Sequence, residues 1–368
     1  MNNKKATVIL LCAILVCTVA VICISVIGND NNPGGDPINN NTPEVRSKTI
    51  SYLHFNTVST LSSYGDTSEE EFENYVKIAD EMLEYYHRLF DIYYEYASVN
   101  NIKTINQNAG KKPIEVDKEL IDFLVYCKEL YTLTDGKTNI MLGSVLKIWH
   151  DAREMADKDF GYLHPDYLPG ASELEAANAH TSIDSLIINV EENTVYISDP
   201  SASIDVGAIA KGYAAKKVAD RLKNMGADSM VLNAGGNIIT IGLKPDGSKW
   251  VTGITNPDKT AENSLSCRVE IGSVALVTSG DYERYFICDG TRYHHIIDPD
   301  TLMPANYFAS VSIFTSDSGL ADALSTALFC MSYEDGLELV KKIGGIDVIW
   351  INSNGEIKTT EGIIFHNP

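Results

Sequence analysis

The sequence is poor in positive charge and in cysteine. Its 368 residues include 29 Lys and Arg against 50 Asp and Glu, a net charge of −21. Nucleic-acid binding requires clustered cations against the phosphate backbone, so no nucleic-acid partner is predicted. Three of the seven cysteines lie in one apolar run near the N-terminus. The other four, Cys127, Cys267, Cys288 and Cys330, lack CxxC spacing and a nearby His at ligand spacing, which predicts buried thiols rather than a disulfide scaffold or a zinc site.

Charge is also absent from one long segment. Residues 6 to 27 contain no charged side chain, are rich in Val, Ile, Leu and Cys, and follow Lys4 and Lys5. A run of this length can span a bilayer as a helix, with residues 1 to 5 in the cytoplasm and the rest of the chain outside. The alternative is a cleaved signal peptide with its cut after Gly28. We predict a retained anchor in the cell membrane and an extracytoplasmic folded part.

The chain after this segment divides into a linker and one domain. Residues 28 to 48 are dense in Asn, Gly and Pro and show no apolar periodicity, which is typical of a flexible tether. No second Pro/Gly-rich stretch interrupts residues 49 to 368. Because 44% of the chain is hydrophobic, residues 49 to 368 are predicted to form a single folded domain with two lobes.

Helical and strand patterns are mixed along this domain. Ser68 and Glu71 form a capping box before one helical stripe of apolar residues, and a second stripe covers residues 120 to 131. Strand patterns begin at Leu186 and alternate irregularly with three further helices. The absence of a regular βαβ order predicts an α+β fold rather than a doubly wound parallel sheet.

Two Gly-containing turns are candidate binding sites. Asp205 stands at the end of a strand and Lys211 in the first turn of the helix that follows, where backbone N–H groups and an ammonium would meet an anion. Further on, Asn233 precedes Gly235, and a glycine there would let the backbone approach a ligand closely. A purely structural turn remains the alternative for both.

Two polar segments follow in the C-terminal half. Residues 278 to 285 crowd hydroxyls, an acid and an Arg together, including Ser279 and Asp281, although an edge strand with a solvated face would look similar. His294 and His295 are adjacent, and strand alternation would send their rings to opposite faces. At most one of the two is therefore expected to be catalytic, and a structural His is the alternative for either.

One helix combines an acid and hydroxyls with a run of Ala and Leu. Asp322 and Thr326 are four residues apart, so their oxygens lie on one helical face and can bind a hard cation together. The alternative is burial with a structural hydrogen bond. We expect Asp322 to be partly exposed and without a buried partner, so that its removal would leave the fold intact.

Taken together and in this order, five segments resemble the ApbE family of flavin transferases. The segments are residues 205–213, 233–237, 278–286, 294–299 and 321–326. A weaker likeness covers residues 134–149 and 55–57, so the resemblance extends over most of residues 50–365. It implies a T-fold-like α+β domain, an extracytoplasmic location, and Mg²⁺-dependent transfer of FMN from FAD to a Thr or Ser hydroxyl of a target protein, with release of AMP.

The resemblance also implies the partners of the protein. FAD is the substrate, and acceptors in the family are flavin subunits of membrane redox complexes or secreted electron-transfer proteins. Two alternatives stay open at this point. The protein would hydrolyse FAD to FMN and AMP if water replaced the acceptor hydroxyl, or it would bind FAD at the surface without catalysis.

Individual site residues follow from the same resemblance. The residues matching those that hold FAD in the family are Lys137, Thr138, Asn139, Asp205, Lys211 and Ile296, and we add Asn233, Gly235, Ser279 and Asp281 from the segments above. Magnesium would be held by the Ala208 carbonyl, Asp322 and Thr326, with Ser325 as a further candidate. His295 aligns with the family's His and is predicted to be the general base. Thr138, Asn139, Ala208 and Asn237 depart from the residues common in the family.

Overall fold

A computed structural model of the protein describes residues 45–51 and 54–366. The predicted anchor, residues 6 to 27, and most of the predicted linker lie outside these residues. Within the described part, no helix combines the length and the apolar character needed to cross a bilayer. The first strand begins at Val45, so residues 45–48 belong to a sheet and not to the predicted linker.

Eight α-helices occur in the described residues. They are α1 (Glu69–Phe90), α2 (Ile102–Gln107), α3 (Lys118–Leu133), α4 (Gly143–Asp157), α5 (Ala171–Asn178), α6 (Ala210–Asn224), α7 (Ser318–Phe329) and α8 (Tyr333–Ile343). Short 3-10 helices span His54–Asn56, Pro165–Tyr167 and Ile183–Ser185. Of the α-helices, α2, α4 and α5 are the ones that the sequence patterns did not reveal.

Sixteen strands complete the described structure. They are β1 (Val45–Ser51), β2 (Ser59–Tyr64), β3 (Ile114–Glu115), β4 (Leu186–Asn189), β5 (Thr194–Ile197), β6 (Met230–Ala234), β7 (Asn237–Ile241), β8 (Trp250–Thr255), β9 (Leu265–Ile271), β10 (Ala275–Gly280), β11 (Tyr285–Cys288), β12 (Thr291–His294), β13 (Ser310–Thr315), β14 (Asp347–Ile351), β15 (Ile357–Thr359) and β16 (Phe365–His366). Eight of them form one sheet in the order β1-β2-β6-β7-β10-β13-β14-β15. Every pairing between these named strands is antiparallel, so the predicted α+β class is confirmed.

The large sheet is covered on both faces. Because side chains alternate along a strand, Leu232 packs in the cluster beneath α1, α3 and α6, whereas its neighbour Val231 packs toward β8 and β9. Helix α7 contacts β10 and β13 on the helical side. The sheet is therefore the middle layer between a group of helices and the small sheet β16-β9-β8.

Local sequence signals explain several element boundaries. The capping box of Ser68 and Glu71 is present at the start of α1, as predicted. The chain reverses between β6 and β7 at Gly235 and Gly236, which have φ of +60° and +94°, in the left-handed region that favours glycine. The four cysteines predicted to be buried are buried and free. These elements follow from short-range chemistry that the sequence displays directly.

A close contact between α6 and α7 positions the rest of the site. A Cβ added at Gly212 would lie 2.6 Å from the Cβ of Asp322 and would run into the carbonyl oxygen of Ser318. Only glycine therefore allows the first turn of α6 to approach α7 this closely. The sequence pattern alone had given no reason for this glycine.

We expect Gly212→Ala to lower the free energy of unfolding by about 1–3 kcal/mol, since overpacking a closed contact forces the two helices apart. Urea denaturation followed by far-UV circular dichroism measures this change. Gly272→Ala is the matched control, because a Cβ there meets no atom within 4 Å. Equal stability of the two variants would show that α6 and α7 do not need the close approach.

Candidate active site

A cavity of about 1000 Å³ opens beside the α6–α7 contact. It is lined by the start of α6, the α7 face, the β6–β7 turn, the strand end at β10, the β11–β12 hairpin and the segment before α4. Most predicted site residues line it: Lys137, Thr138, Asn139, Asp205, Ala208, Lys211, Asn233, Gly235, Ser279, His295, Ile296, Asp322 and Thr326. The segments that are distant in sequence thus meet at one cavity.

Asp322 is the polar centre of the α6–α7 contact. The residue is only 5% exposed, and its Oδ2 accepts a hydrogen bond from the backbone N–H of Gly212 at 2.8 Å. Its Oδ1 lies 3.6 Å from Nζ of Lys211. The expectation that Asp322 is partly exposed and has no buried partner is therefore wrong, because the glycine N–H supplies one.

The same bond satisfies a donor at the start of α6. Gly212 is the third residue of α6, and the first N–H groups of a helix have no acceptor within the helix. Its N–H donates to Asp322, and within the described part of the chain no hydrogen bond reaches the carbonyl of Ala208, which precedes the helix. Ala208 lines the cavity, so its carbonyl oxygen is left available to a ligand.

The oxygens at this corner fit a hard cation. Thr326 lies one turn after Asp322 and lines the same cavity, as the spacing predicted. A carboxylate, a hydroxyl and a free carbonyl are the oxygen donors that Mg²⁺ prefers, and Mg²⁺ usually completes its shell with water and substrate phosphate. The described residues contain no cluster of three His, Cys, Asp or Glu that could hold a metal. A site here would thus be sparse and would depend on the substrate.

Ser325 does not share this arrangement. It is fully buried, its Oγ donates to the carbonyl of Asp322 at 2.8 Å, and the same Oγ lies 2.8 Å from Oγ of Ser279. The pair ties α7 to β10 behind the cavity surface. This geometry argues against the predicted metal contact of Ser325 and gives Ser279 a structural partner as well.

Three predicted FAD contacts before α4 are also engaged within the protein. Nζ of Lys137 lies 2.9 Å from Asp298 and 2.8 Å from Asp300. The hydroxyl of Thr138 donates to the carbonyl of Ala323 at 2.8 Å, and the amide of Asn139 donates to the carbonyl of Thr181 at 3.0 Å. These side chains hold the loop in place, and their role toward FAD stays a prediction.

The β6–β7 turn presents backbone and amide groups to the cavity. Oδ1 of Asn233 accepts from the N–H of Gly236 at 2.9 Å, and a side chain at Gly235 would run into Thr57. Asn237 is 2% exposed, and its Nδ2 is a buried donor without a partner in the described structure. Its Oδ1 lies 3.4 Å from Nζ of Lys211. An unsatisfied buried amide beside a cation indicates a place where a polar ligand completes the hydrogen bonding.

Two other residues predicted to contact FAD, Asp281 and Ile296, are not positioned as expected. Asp281 does not line the cavity, because its carboxylate is turned toward Arg292 at 3.1 Å. Ile296 lines the cavity, but both its backbone groups bond within the protein, the N–H to Nδ1 of His294 and the carbonyl to the N–H of Ala305. The position of Asp281 argues against a contact with FAD, and Ile296 offers only its side chain.

The two histidines have different surroundings, as strand alternation predicted. His294 is 7% exposed, its Nε2 lies 2.7 Å from the carbonyl of Ala305, and its Nδ1 accepts the N–H of Ile296 at 3.2 Å. With Nδ1 as acceptor, the proton sits on Nε2, and burial lowers the pKa of this imidazole. His294 therefore has a structural role.

His295 is free to react. Its Nδ1 is buried without a hydrogen-bond partner in the described structure, whereas its backbone N–H donates to the carbonyl of Arg284 at 3.0 Å. Burial, followed by the charge of Arg284 and the neighbouring His294, lowers the pKa of His295 to about 3. The imidazole is thus neutral at physiological pH, which is the state that accepts a proton.

Sequence reasoning missed the cationic part of the cavity. Arg153 from α4 and Arg284 before β11 both line it, together with Asp205 and Tyr93. Burial raises the pKa of Asp205, and the N–H of Gly207 and the charges of His150, Arg153 and Arg284 oppose that rise. Arg284 lies in the polar run singled out from sequence, but Arg153 had no signal because α4 was not predicted.

Comparisons with known proteins agree with this arrangement. Residues 55–350 match the sequence model of the ApbE family. A relative from Klebsiella pneumoniae named FAD:protein FMN transferase is 31% identical over 259 residues, which cover 70% of this chain and 77% of the relative. A relative of the same name from Treponema pallidum is 33% identical over 273 residues, which cover 72% and 74%.

Solved structures show the same fold. The ApbE protein from Thermotoga maritima has a TM-score of 0.71 at 27% identity, covering 86% of this chain and 97% of that one. The flavin transferase ApbE from Vibrio cholerae has a TM-score of 0.69 at 26% identity with the same coverage. The similarity thus includes nearly the whole of both solved chains.

We expect the imidazole of His295 to stay neutral between about pH 5 and 8, where an ordinary His changes its charge. Its ring C–H signals, assigned by comparison with His295→Gln, should not shift in an NMR titration over this range. Free imidazole in the same tube reports that the pH has changed. A His295 midpoint between pH 6 and 7 would contradict the low pKa.

Proposed function

The chain belongs to the ApbE family and is a flavin transferase, and we propose that it moves FMN from FAD to a Thr or Ser hydroxyl of a target protein in a Mg²⁺-dependent reaction. The observation that carries this proposal is the meeting of Asp322, Thr326, Lys211 and the unpaired His295 imidazole at one cavity. We propose further that the reaction takes place outside the cytoplasmic membrane, which rests on the uncharged run of residues 6 to 27.

The reaction requires one bond to form and one to break. The acceptor oxygen attacks the phosphorus of the FMN half of FAD, the bond from that phosphorus to the bridging oxygen breaks, and AMP leaves with the bridging oxygen. The hydroxyl proton passes to the neutral imidazole of His295. A base in this position contributes by taking the proton as the oxygen becomes a nucleophile.

We expect the residues around Asp322 to bind the pyrophosphate of FAD. The N–H of Gly212 fixes the Asp322 carboxylate, and Lys211 stands 3.6 Å from it with its ammonium at the cavity. Asp322, Thr326 and the Ala208 carbonyl would hold Mg²⁺, which supplies positive charge for the pyrophosphate oxygens when bound. We expect Lys211 to contact the same phosphates, so that an acidic protein still presents local positive charge to an anionic substrate.

The products of an incubation with FAD and Mg²⁺ test this function. We expect covalent flavin fluorescence on an acceptor, in a panel of purified domains from flavin-carrying subunits of redox complexes and from secreted electron-transfer proteins. EDTA in excess should stop the transfer. Asp322→Asn should also stop it, because the amide keeps an oxygen for the Gly212 N–H but loses the negative charge that a cation requires.

The choice of Asn matters because Asp322 has a buried partner, and Asp322→Ala would leave the Gly212 N–H unsatisfied. An unchanged melting temperature for Asp322→Asn is the control for folding. Wild-type transfer by Asp322→Asn or in EDTA would refute the metal site. Free FMN and AMP without labelled acceptor would indicate hydrolysis, and unchanged FAD would indicate binding without catalysis.

We expect His295→Ala to bind FAD as the wild type does and to transfer FMN about 10²–10⁴-fold more slowly, the usual contribution of a general base. Single-turnover flavinylation at saturating FAD gives the rate. His294→Gln is the matched variant, which should lower stability but keep most of the activity at a temperature where it is folded. Similar rates for His295→Ala and the wild type would remove His295 from the mechanism.

A further inference from the structure

Two arginines line the cavity without a hydrogen-bonded or ion-paired partner in the described chain. Arg153 and Arg284 make no side-chain hydrogen bond and no ion pair with another residue of the described chain. Most other basic groups at this cavity are engaged: Lys137 with two carboxylates and Lys211 with Asp322. Two free guanidinium groups in a protein of net charge −21 indicate a site for an anion.

Arg284 lies directly beside the proposed base. In the β11–β12 hairpin Tyr285 pairs with His294, and the next residues outward, Arg284 and His295, are joined by the backbone bond of 3.0 Å. Residues opposite each other in an antiparallel pair direct their side chains to the same face. The guanidinium of Arg284 and the imidazole of His295 therefore share one face of the hairpin at the cavity.

Arg153 reaches the same place from α4. It follows Trp149 by one helical turn, and the Trp149 ring stacks on Phe286 of β11 with 6.4 Å between the ring centroids. Arg153 is half-buried, and the charge of Arg284 contributes, after burial, to lowering its pKa. The two like charges are thus close enough to repel each other, and the described residues offer no bonded carboxylate to relieve this.

Exposed aromatic rings border the arginines. Tyr93 and Tyr94 line the cavity and are 45% and 67% exposed, and the Tyr93 ring lies 5.5 Å from the ring of His150 on α4. Arg and Tyr are enriched where proteins bind proteins. The nearby acids are Asp205 and Glu283, which line the cavity, and Glu154 and Asp157, whose charges act on Arg153. In the described chain none of them forms a hydrogen bond or ion pair with either guanidinium, so both guanidinium groups stay available to a ligand.

From this geometry we propose that Arg153 and Arg284 bind a carboxylate side chain of the acceptor protein, close in the acceptor to the hydroxyl that receives FMN. The proposal rests on the proposed function. The acceptor hydroxyl must contact His295 to lose its proton, so the groups on the same face of the hairpin meet the acceptor chain. The phosphates of FAD belong at the α6–α7 corner, where Lys211 and the oxygen donors are.

This contact has a chemical consequence for the base. The positive charges of Arg284 and Arg153 help to keep the pKa of His295 low in the free protein, in addition to burial. A carboxylate that pairs with the two arginines offsets these charges and makes the imidazole a stronger base. Water brings no such carboxylate, so the acidic acceptor favours transfer over hydrolysis.

The test uses the full chain, FAD, Mg²⁺ and the acceptor domain that the wild-type protein flavinylates. For the double variant Arg153→Gln/Arg284→Gln we expect kcat/KM for the acceptor to fall about 10–100-fold, the loss expected for charged hydrogen bonds. The dissociation constant for FAD, from flavin fluorescence, should not change. Arg292→Gln is the matched control, because Arg292 is on the same hairpin but pairs with Asp281 away from the cavity.

Substitutions in the acceptor complete the test. Neutralising Asp and Glu residues near its flavinylated residue, one at a time, should reproduce the loss at one position, and that substitution should cost little more in the double arginine variant. Unchanged acceptor kinetics in the arginine variant would overturn the proposal, as would a loss of FAD affinity with normal acceptor kinetics or an acceptor without a sensitive acid. If the wild-type protein labels no acceptor, the proposed function itself fails.

Discussion

The hydrogen bond from the backbone N–H of Gly212 to the carboxylate of Asp322 is the interaction on which the site depends. It joins the first turn of α6 to α7, and only glycine leaves room for it. It gives the Gly212 N–H, which has no acceptor within α6, a partner on α7. One bond therefore fixes the Asp322 carboxylate, with Nζ of Lys211 3.6 Å away, at the cavity that Ala208 also lines. The proposed metal site is thus a consequence of how two helices pack.

Electrostatics in this protein are local rather than global. The chain carries a net charge of −21, yet its cavity contains Lys211 at one corner and, near the hairpin, Arg153 of α4 and Arg284, which form no ion pair within the described residues. The net charge repels polyanions at long range, whereas within a Debye length of about 10 Å the individual cations dominate. Such a surface is unfavourable for a long polyanion but can accept a single dinucleotide, whose charge needs only a few positioned groups.

Much of the fold was predictable from sequence because short-range chemistry determines it. The α1 capping box, the turn glycines and the opposite orientations of His294 and His295 depend on neighbours within a few residues. The tertiary partners were not predictable in this way. Thr138 donates to Ala323, 185 residues away, and Gly212 donates to Asp322, 110 residues away, and no local pattern indicates either bond. Helix α4 was missed as well, and with it Arg153, although its buried residues Val145, Trp149, Ala152 and Ala156 stand at helical spacing and form an apolar cluster with Phe286 of β11.

The low pKa of His295 affects how the proposed reaction is controlled. A buried imidazole beside two cations is neutral but a weak base, so on its own it activates water poorly. Any group that adds negative charge near Arg284 without occupying the imidazole makes the base stronger. In the proposed reaction FAD brings its charge to the α6–α7 corner, whereas the protein acceptor approaches the hairpin. Basicity that increases only when the acceptor arrives would protect bound FAD from hydrolysis until the correct nucleophile is in place.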